Sequence, residues 1–347
     1  GRILCFLTAL CAAQNRADPT AAFDVSALVW NPAVVDPSVQ GPTTTDAQGF
    51  RTRQLVQEWD DWTWTLGLDW QPTTDTLVYG KYTKGYKAGG FNTLTFSPKV
   101  TTEPESVYLY ELGLKQTFDD TLQVNGALYL QDYRNMQIPL TALNTVTNAN
   151  ESRFENMPKS QIWGIELETT WNPVSTLQVT ANYSYLDSEI KEACCYVDPQ
   201  DPRAIEPEAT PISPGATTQN IAGSQLPFAT PHRFTANVNY TWDFDAGSLT
   251  PSASMVYKSE TYYSVFNRFY NLGKEGTQFD ARVIWRDAQD TYSIIGYVRN
   301  ISDQTIVEGA SAGILAGTQL ANDTRWLNRN WSVNPPRTYG VEFQYRF

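Results

Sequence analysis

The sequence predicts an all-β fold, an antiparallel up-and-down transmembrane β-barrel segment, on three observations. Segment after segment alternates apolar and polar residues with period 2. Aromatic residues stand at the ends of the apolar stripes, and the connections between segments are short and long in turn. Side chains on a strand point alternately to its two faces, so each alternating segment has one apolar and one polar wall.

Composition agrees with a chain that meets a lipid–water interface. Aromatics make up 13% of the residues, with 11 Trp and 19 Tyr, while only 18% are charged. Trp and Tyr favour such an interface because one end of the ring is apolar and the other polar. A mean hydropathy of −0.40 is far from that of a helical membrane protein. The formal net charge of −12 argues against nucleic acid, whose phosphates require clustered Lys and Arg. Four cysteines, Cys5, Cys11, Cys194 and Cys195, show no C-x-x-C spacing, and either a local loop disulfide or inert thiols would fit.

Taken in order, residues 1–58 read as an irregular N-terminal segment, loop or partial strand. Ile3 to Ala13 is apolar but about half the roughly 20 residues that a helix needs to cross a bilayer. It has some character of a signal-peptide core, with Arg2 before it and Ala12-Ala13 at its end, but almost no basic leader. A piece of strand or loop is the expectation. The Pro, Thr and Asp content from Asn31 to Asp46 suggests an irregular loop.

Residues 59–347 carry the barrel pattern. Trp62, Trp64, Leu66, Leu68 and Trp70 share one face and Thr63, Thr65, Gly67 and Asp69 the other. Tyr108, Tyr110, Leu112, Leu114 and Phe118 oppose Glu111, Gly113, Lys115 and Thr117. Trp163, Ile165, Leu167 and Trp171 oppose Gly164, Glu166, Glu168 and Thr170. The same holds for Phe234 to Trp242 and for Tyr339 to Phe347. Aromatics flanking aliphatics form the girdle of a lipid-facing band, and the charged opposite wall suits a watery lumen. Strands are expected at 62–70, 76–86, 105–118, 121–135, 160–171, 175–188, 232–243, 248–258, 277–286, 291–301 and 336–347. Tight turns fall at Pro72 to Asp75, Asp119-Asp120, Asn172 to Val174, Asp245 to Gly247 and Asp287 to Asp290. Long links fall at 87–104, 136–159, 189–231, 259–276 and 302–335. Short periplasmic turns and long extracellular loops produce this alternation. About eleven strands is an odd count for a bacterial barrel, so a further strand lies in 1–58 or the chain is a fragment.

No catalytic constellation emerges. His232, the only histidine, stands beside Pro231 at a strand start, and without a G-x-S-x-G elbow it reads as an interface or loop residue. Glu166 and Glu168 could serve acid–base chemistry, but solvated lumen charge is the simpler account. No metal-ligand spacing is present and no cofactor is expected. Gly85 to Gly90 lacks the phosphate-loop pattern, and Gly309, Gly313 and Gly317 lie outside any apolar span, so both read as flexible chain.

Three stretches resemble one family. Tyr82-Thr83-Lys84-Gly85-Tyr86-Lys87-Ala88-Gly89-Gly90-Phe91-Asn92 resembles the strand-plus-loop signature of TonB-dependent receptors. Val298-Arg299-Asn300-Ile301-Ser302-Asp303 is similar to their penultimate strand. Pro335-Pro336-Arg337-Thr338-Tyr339-Gly340-Val341, leading to Gln344-Tyr345-Arg346-Phe347, resembles their final strand. These stretches occur in family order. The resemblance implies the C-terminal half of a 22-stranded barrel in the outer membrane of a Gram-negative bacterium. It also implies energised uptake through TonB–ExbB–ExbD by way of a plug domain, of which neither sequence nor TonB box is visible here. Tyr345 and Phe347 would be the assembly signal read by the barrel assembly machinery, or the last residues of the aromatic girdle.

Ligand capture is the credible role for the loops. Tyr262, Tyr263, Phe266, Phe269 and Tyr270 crowd one loop; Trp326 and Trp331 stand in another, beside Arg325 and Arg329. Dense exposed aromatics mark binding surfaces, and Arg would pair an anionic ligand. Tyr86, Phe91 and Asn92 complete the candidate set. The ligand class is a siderophore, vitamin or oligosaccharide, and the lipid-facing partner is the outer membrane itself. A small passive porin-like barrel is the alternative; a soluble all-β enzyme or lectin would need its apolar faces packed on each other.

Overall fold

The computed structural model describes residues 40–45, 51–55, 57–92, 101–144, 149–194, 196, 198, 219–314 and 327–347. A hairpin comes first, β1 (Gln40–Thr45) with β2 (Arg51–Leu55). β3 (Trp64–Thr73) and β4 (Thr76–Lys87) follow, then the two-residue partners β5 (Gly90–Phe91) and β6 (Thr101–Thr102). Next are β7 (Glu105–Phe118), β8 (Leu122–Asn144), β9 (Ala149–Val174) and β10 (Leu177–Glu192). β11 (His232–Tyr240), its continuation β12 (Trp242–Phe244) and β13 (Gly247–Lys258) come after a long loop. β14 (Thr261–Tyr262) and β15 (Leu272–Gly273) flank a 3-10 turn at Phe269–Asn271. β16 (Gly276–Asp287) and β17 (Tyr292–Arg299) lead to the hairpin β18 (Val307–Ile314) with β19 (Leu327–Val333), and β20 (Thr338–Tyr345) is last.

One antiparallel sheet runs β3-β4-β7-β8-β9-β10-β11-β13-β16-β17-β20, each strand beside its predecessor, with β12 extending β11 against β13. All eleven strands expected from the alternation are in it. Among the described residues β3 and β20 are its free edges. Eleven alternating strands leave these two running the same way. An antiparallel barrel therefore needs an odd number of further strands between them.

Register assigns the faces. Trp70 pairs with Val78, Val78 with Leu114, Leu114 with Gly126, Gly126 with Leu167 and Leu167 with Tyr183, one apolar rung across six strands. This outward face is bare: Leu66, Leu68 and Trp70 are 66%, 76% and 63% exposed. A soluble sheet would cover such a face, so the exposure decides for a lipid-facing wall. No helix among the described residues is long and apolar enough to cross a membrane. The other face carries Asp69, Lys81, Glu111, Lys115, Glu166 and Glu168, the polar wall expected for the lumen. There Lys81 Nζ lies 2.8 Å from Glu111, and Tyr79 Oη donates to Glu111 at 2.9 Å.

Turn chemistry explains the short ends. Asp119 and Asp120 take φ of 48° and 52°, the left-handed pair of a tight hairpin turn that Asp tolerates through its short side chain. Glycine serves the lumen wall differently. A Cβ on Gly113 would stand 2.2 Å from the Tyr79 ring, which lies over it from the neighbouring strand. Gly113→Val should expel that ring and cost about 1–3 kcal/mol. A matching drop in urea midpoint for the heat-modifiable folded form checks it, and an unchanged midpoint would refute the packing role.

The tall hairpin departs from expectation. Residues 136–159, read as a long loop, continue β8 and β9 to Asn144 and Ala149. Pairing skips one step between Arg134–Lys159 and Met136–Met157, where Asn135 has a φ of 54° and Pro158 offers no N–H. Above that break Ile138, Leu140 and Met157 pack with Ile190, Ala193, Tyr196, Ile221, Leu226 and Val265. The buried apolar cluster thus sits among the loops, because in the wall the apolar side chains face lipid.

Segment 1–58 is described at 40–45 and 51–55, the β1–β2 hairpin, which forms a sheet of its own, and at 57–58. The apolar run Ile3 to Ala13, with Cys5 and Cys11, lies outside the described residues. Cys194 is disulfide-bonded, so for this residue the cross-linked alternative holds.

Candidate ligand vestibule

The loop ends of the wall strands carry a connected layer of side chains. At its first edge stands the Tyr82–Asn92 stretch. Gly89 is required there by close approach, since a Cβ would meet the Trp59 indole and the Thr102 carbonyl, both at 2.4 Å. Trp59 in turn stacks near Phe91, ring centroids 5.4 Å apart. Asn92 is buried and exchanges hydrogen bonds with the Phe154 backbone, receiving from its N–H at 2.8 Å and donating to its carbonyl at 3.1 Å. Its amide thereby docks this loop on β9. Tyr86 lies on the outward face, paired with Ser106.

The centre of the layer is polar as well as apolar. Asp198, 1% exposed, accepts from Arg268 Nε and from Tyr270 Oη, each at 3.2 Å. Arg268 also donates to Gln219 Oε1. These contacts bind the loop after β10 to the loop after β13. Burial first, and the nearby Glu155 carboxylate second, push the Tyr196 phenol above its ordinary value, so it remains neutral. At the first edge the Lys84 hydrogen bond holds the Asp61 carboxyl below its ordinary value, against a smaller opposing effect of burial. That pair is intact at neutral pH and is lost only as pH falls through the lowered value.

The second edge joins two loops. Tyr263 Oη donates to the Val307 carbonyl at 2.7 Å, receives from Lys258 Nζ at 3.0 Å and packs edge-on against Phe228. Phe266 packs on the buried cluster and Tyr262 holds the Phe228 N–H through its carbonyl. Arg329 lies over the Trp331 ring at 4.8 Å and near the Phe269 ring at 6.0 Å, and donates to the Phe269 carbonyl. Phe269 is 73% exposed and Trp331 50%. An exposed guanidinium between two exposed rings can hold an anionic or aromatic group by charge and stacking together.

Among the candidates, Tyr262, Tyr263 and Phe266 therefore form one group that touches the Arg329–Trp331 hairpin through Val307 and Phe269. Phe91 and Asn92 stand apart, against β9. Arg325 and Trp326 lie outside the described residues. Tyr345 and Phe347 are at the opposite end, stacked in series with Tyr292 at 5.2 and 6.0 Å. Asp198, Arg268 and Gln219 were missed, as isolated polar loop residues with no local pattern around them. His232 faces outward, hydrogen-bonded to Tyr183 Oη at 2.9 Å, with no carboxylate recorded against it among the described residues.

Two signature stretches meet in a single knot. Asn300, 2% exposed, donates from Nδ2 to the carbonyls of Gln304 (3.0 Å) and Pro335 (3.1 Å) and accepts from Gln304 N–H at 3.0 Å. Asn334 accepts from Ile306 N–H at 2.7 Å and donates to Gln278 and to the Gln304 carbonyl, both at 3.1 Å. Arg337 N–H donates to Asp303 at 2.8 Å.

A main sheet with a bare outward face, a charged inner face and a layer of loops over one end defines a segment of a membrane β-barrel wall. Residues 36–301 match the family described as TonB dependent receptor-like, beta-barrel, and the chain belongs to that family. A probable TonB-dependent siderophore receptor, PiuA of Acinetobacter baumannii, is 25% identical over 136 residues, 37% of this chain and 17% of the relative. The ferric yersiniabactin uptake receptor FyuA of Yersinia pestis superposes with a TM-score of 0.60 at 19% identity, covering 82% of this chain and 37% of the other. The solved siderophore receptor PiuA gives 0.57 at 16% identity, covering 81% and 35%. The copper transporter OprC gives 0.55 at 13% identity, covering 82% and 40%. At such identities the likeness shows the fold alone. The chain spans less than half the length of each of these relatives.

Proposed function

We propose that the chain forms the C-terminal part of the barrel, residues 59–347, of an outer-membrane receptor for energised uptake of a siderophore-type ligand. Residues 1–58, which include the β1–β2 hairpin, would be the segment leading into it. In this reading the ligand binds from outside among Tyr262, Tyr263, Phe266, Arg329 and Trp331, with Arg325, Trp326, Phe91 and Asn92 extending the vestibule, while Tyr86, on the outward face, stays outside it. TonB–ExbB–ExbD then drives rearrangement of a plug domain, and the polar inner wall lines the path. The barrel assembly machinery reads Tyr345 and Phe347. No step needs catalysis by this chain, a cofactor or a bound metal.

The Phe269–Arg329–Trp331 cluster carries the proposal, because it presents a cation and two rings to the outside on the loop side of the wall. FyuA is described as a ferric yersiniabactin uptake receptor and PiuA as a siderophore receptor, which suggests a ferric complex, whereas a vitamin or oligosaccharide would use the rings without needing the cation. The test is tryptophan-fluorescence titration of the intact receptor with ferric catecholate, phenolate and hydroxamate siderophores. One class should quench, and Arg329→Ala should weaken it roughly tenfold or more, the loss of a partly desolvated cation–π and ion-pair contact. If no class quenches and a deletion strain grows normally under iron starvation, the siderophore reading is wrong.

A further inference from the structure

Unpaired basic side chains of the inner face gather on its β11–β17 side. Arg233, Lys258, Arg282 and Arg299 all point inward there, and none of them makes an ion pair among the described residues. On the β4–β7 side, by contrast, Lys81 is taken up by Glu111. Arg233 and Lys258 are direct cross-strand partners at the loop end, an arrangement that repels unless an anion offsets it. Lys258 also holds Tyr263 Oη and the Val307 carbonyl, so this end of the strip adjoins the vestibule.

Deeper in, the same face opens a polar hollow of about 360 Å³ bordered by Ser252, Arg282, Tyr297 and Arg299. Arg282 stands six residues along β16 from Gly276, the partner of Lys258, or about 20 Å at roughly 3.3 Å per residue. Ser252, Arg282 and Tyr297 share one rung. Arg299 is the diagonal neighbour of Arg282, and its guanidinium leans over the Tyr297 ring, 5.1 Å from the centroid. The Tyr297 ring itself lies over Gly340 on the far strand, where a Cβ would stand 2.7 Å from its Oη. Two carboxylates border the hollow as well, but amides hold both. Asp280 accepts from the Asn300 N–H at 2.7 Å and from Gln278 Nε2 at 3.0 Å, and Glu342 accepts from Gln344 Nε2 at 2.6 Å. Ser252 Oγ is buried without a hydrogen-bond partner, one of three such atoms among the described residues. A free hydroxyl and two guanidiniums without ion partners around one polar void are the donor set of an oxyanion.

We propose that this hollow is an oxyanion site on the inner wall, taking one carboxylate or phosphate group of a solute inside the barrel. Arg282 and Arg299 supply the charge-assisted donors, and Ser252 Oγ donates the third hydrogen bond. The solute is the transported ligand, which is therefore anionic and passes along the β11–β17 side of the lumen. That last step rests on the uptake reading; the site itself does not, and the test separates the two.

The chain, purified in detergent and checked for its heat-modifiable folded form, is titrated by calorimetry with inorganic phosphate and with citrate. Glucose and choline are the neutral and cationic controls. Both anions should bind and both controls should not. Arg282→Gln should weaken the anions about tenfold and Ser252→Ala roughly threefold, the loss of a charged and of a neutral donor. Arg282→Lys should fall between wild type and Arg282→Gln, because it keeps the charge and loses the planar fork. Arg282 is exposed on the inner face, so folding should survive either change. Arg233→Gln, on the same face but outside the hollow, should leave anion affinity unchanged. No anion binding, equal affinity in wild type and Arg282→Gln, or an equal loss in Arg233→Gln overturns the site. In cells carrying the intact receptor, Arg282→Gln should slow accumulation of the ferric ligand severalfold without changing its affinity at the surface. Unaltered accumulation overturns the passage role. Anion binding by the chain with no surface binding of any siderophore overturns the uptake reading and leaves the site standing.

Discussion

Asn300→Ala is expected to lower the stability of the folded wall by about 3 kcal/mol or more, through loss of a buried amide that joins three backbone segments. The side chain ties the end of β17 to Gln304 and to Pro335, just before β20. Its removal deprives the Pro335 carbonyl and the Gln304 N–H of this partner, while the Gln304 carbonyl keeps the Asn334 amide. A second contribution comes from the backbone. Asn300 has a φ of 51°, which Asn tolerates and Ala resists by about 1 kcal/mol. Asn300→Gly separates the two, because it keeps the conformation and deletes only the amide. Urea denaturation of the detergent-folded chain should place Asn300→Gly between wild type and Asn300→Ala. An Ala variant within about 0.5 kcal/mol of wild type would show that the knot is not holding the last strand.

This knot also marks how far the sequence could be read. The Asn300 and Arg337 stretches stood out as signatures, yet nothing local said that they meet, since one amide spans 35 residues to Pro335. The wall was legible because its rules are local. Alternation assigns faces, and paired turn residues such as Asp119-Asp120 fix where strands reverse. The tall β8–β9 hairpin falls in the expected long link 136–159, whose foot carries Asn135 and Pro158, residue types that usually end strands. They are instead a one-step break in a ladder that resumes at Met136–Met157. The vestibule was half legible. Its aromatics and Arg329 showed by density, while the Asp198–Arg268 contact depends on two loops 70 residues apart in sequence.

Arg268→Ala is expected to unfasten the loop layer without unfolding the wall. Asp198 is nearly inaccessible, and removing the guanidinium takes an ionic partner from a buried carboxylate, a loss of up to about 3–5 kcal/mol. That cost falls on the loops because Arg268 and Tyr270 reach across to Asp198 and Gln219, which stand on another loop. The apolar cluster around Met157, Ile190 and Val265 spans the same loops, so both supports should loosen together. Hydrogen exchange should show lost protection at 219–229 and 260–273, with β7 to β10 unchanged below Ile162. Arg268→Lys should recover only part, since an ammonium cannot reach Asp198 and Gln219 in the planar geometry that the guanidinium uses. Because the same turn carries Phe269 beneath Arg329, ligand affinity should fall along with loop protection. Unchanged exchange in both loops would mean that the apolar cluster alone holds them, and the ion pair would then be a passenger.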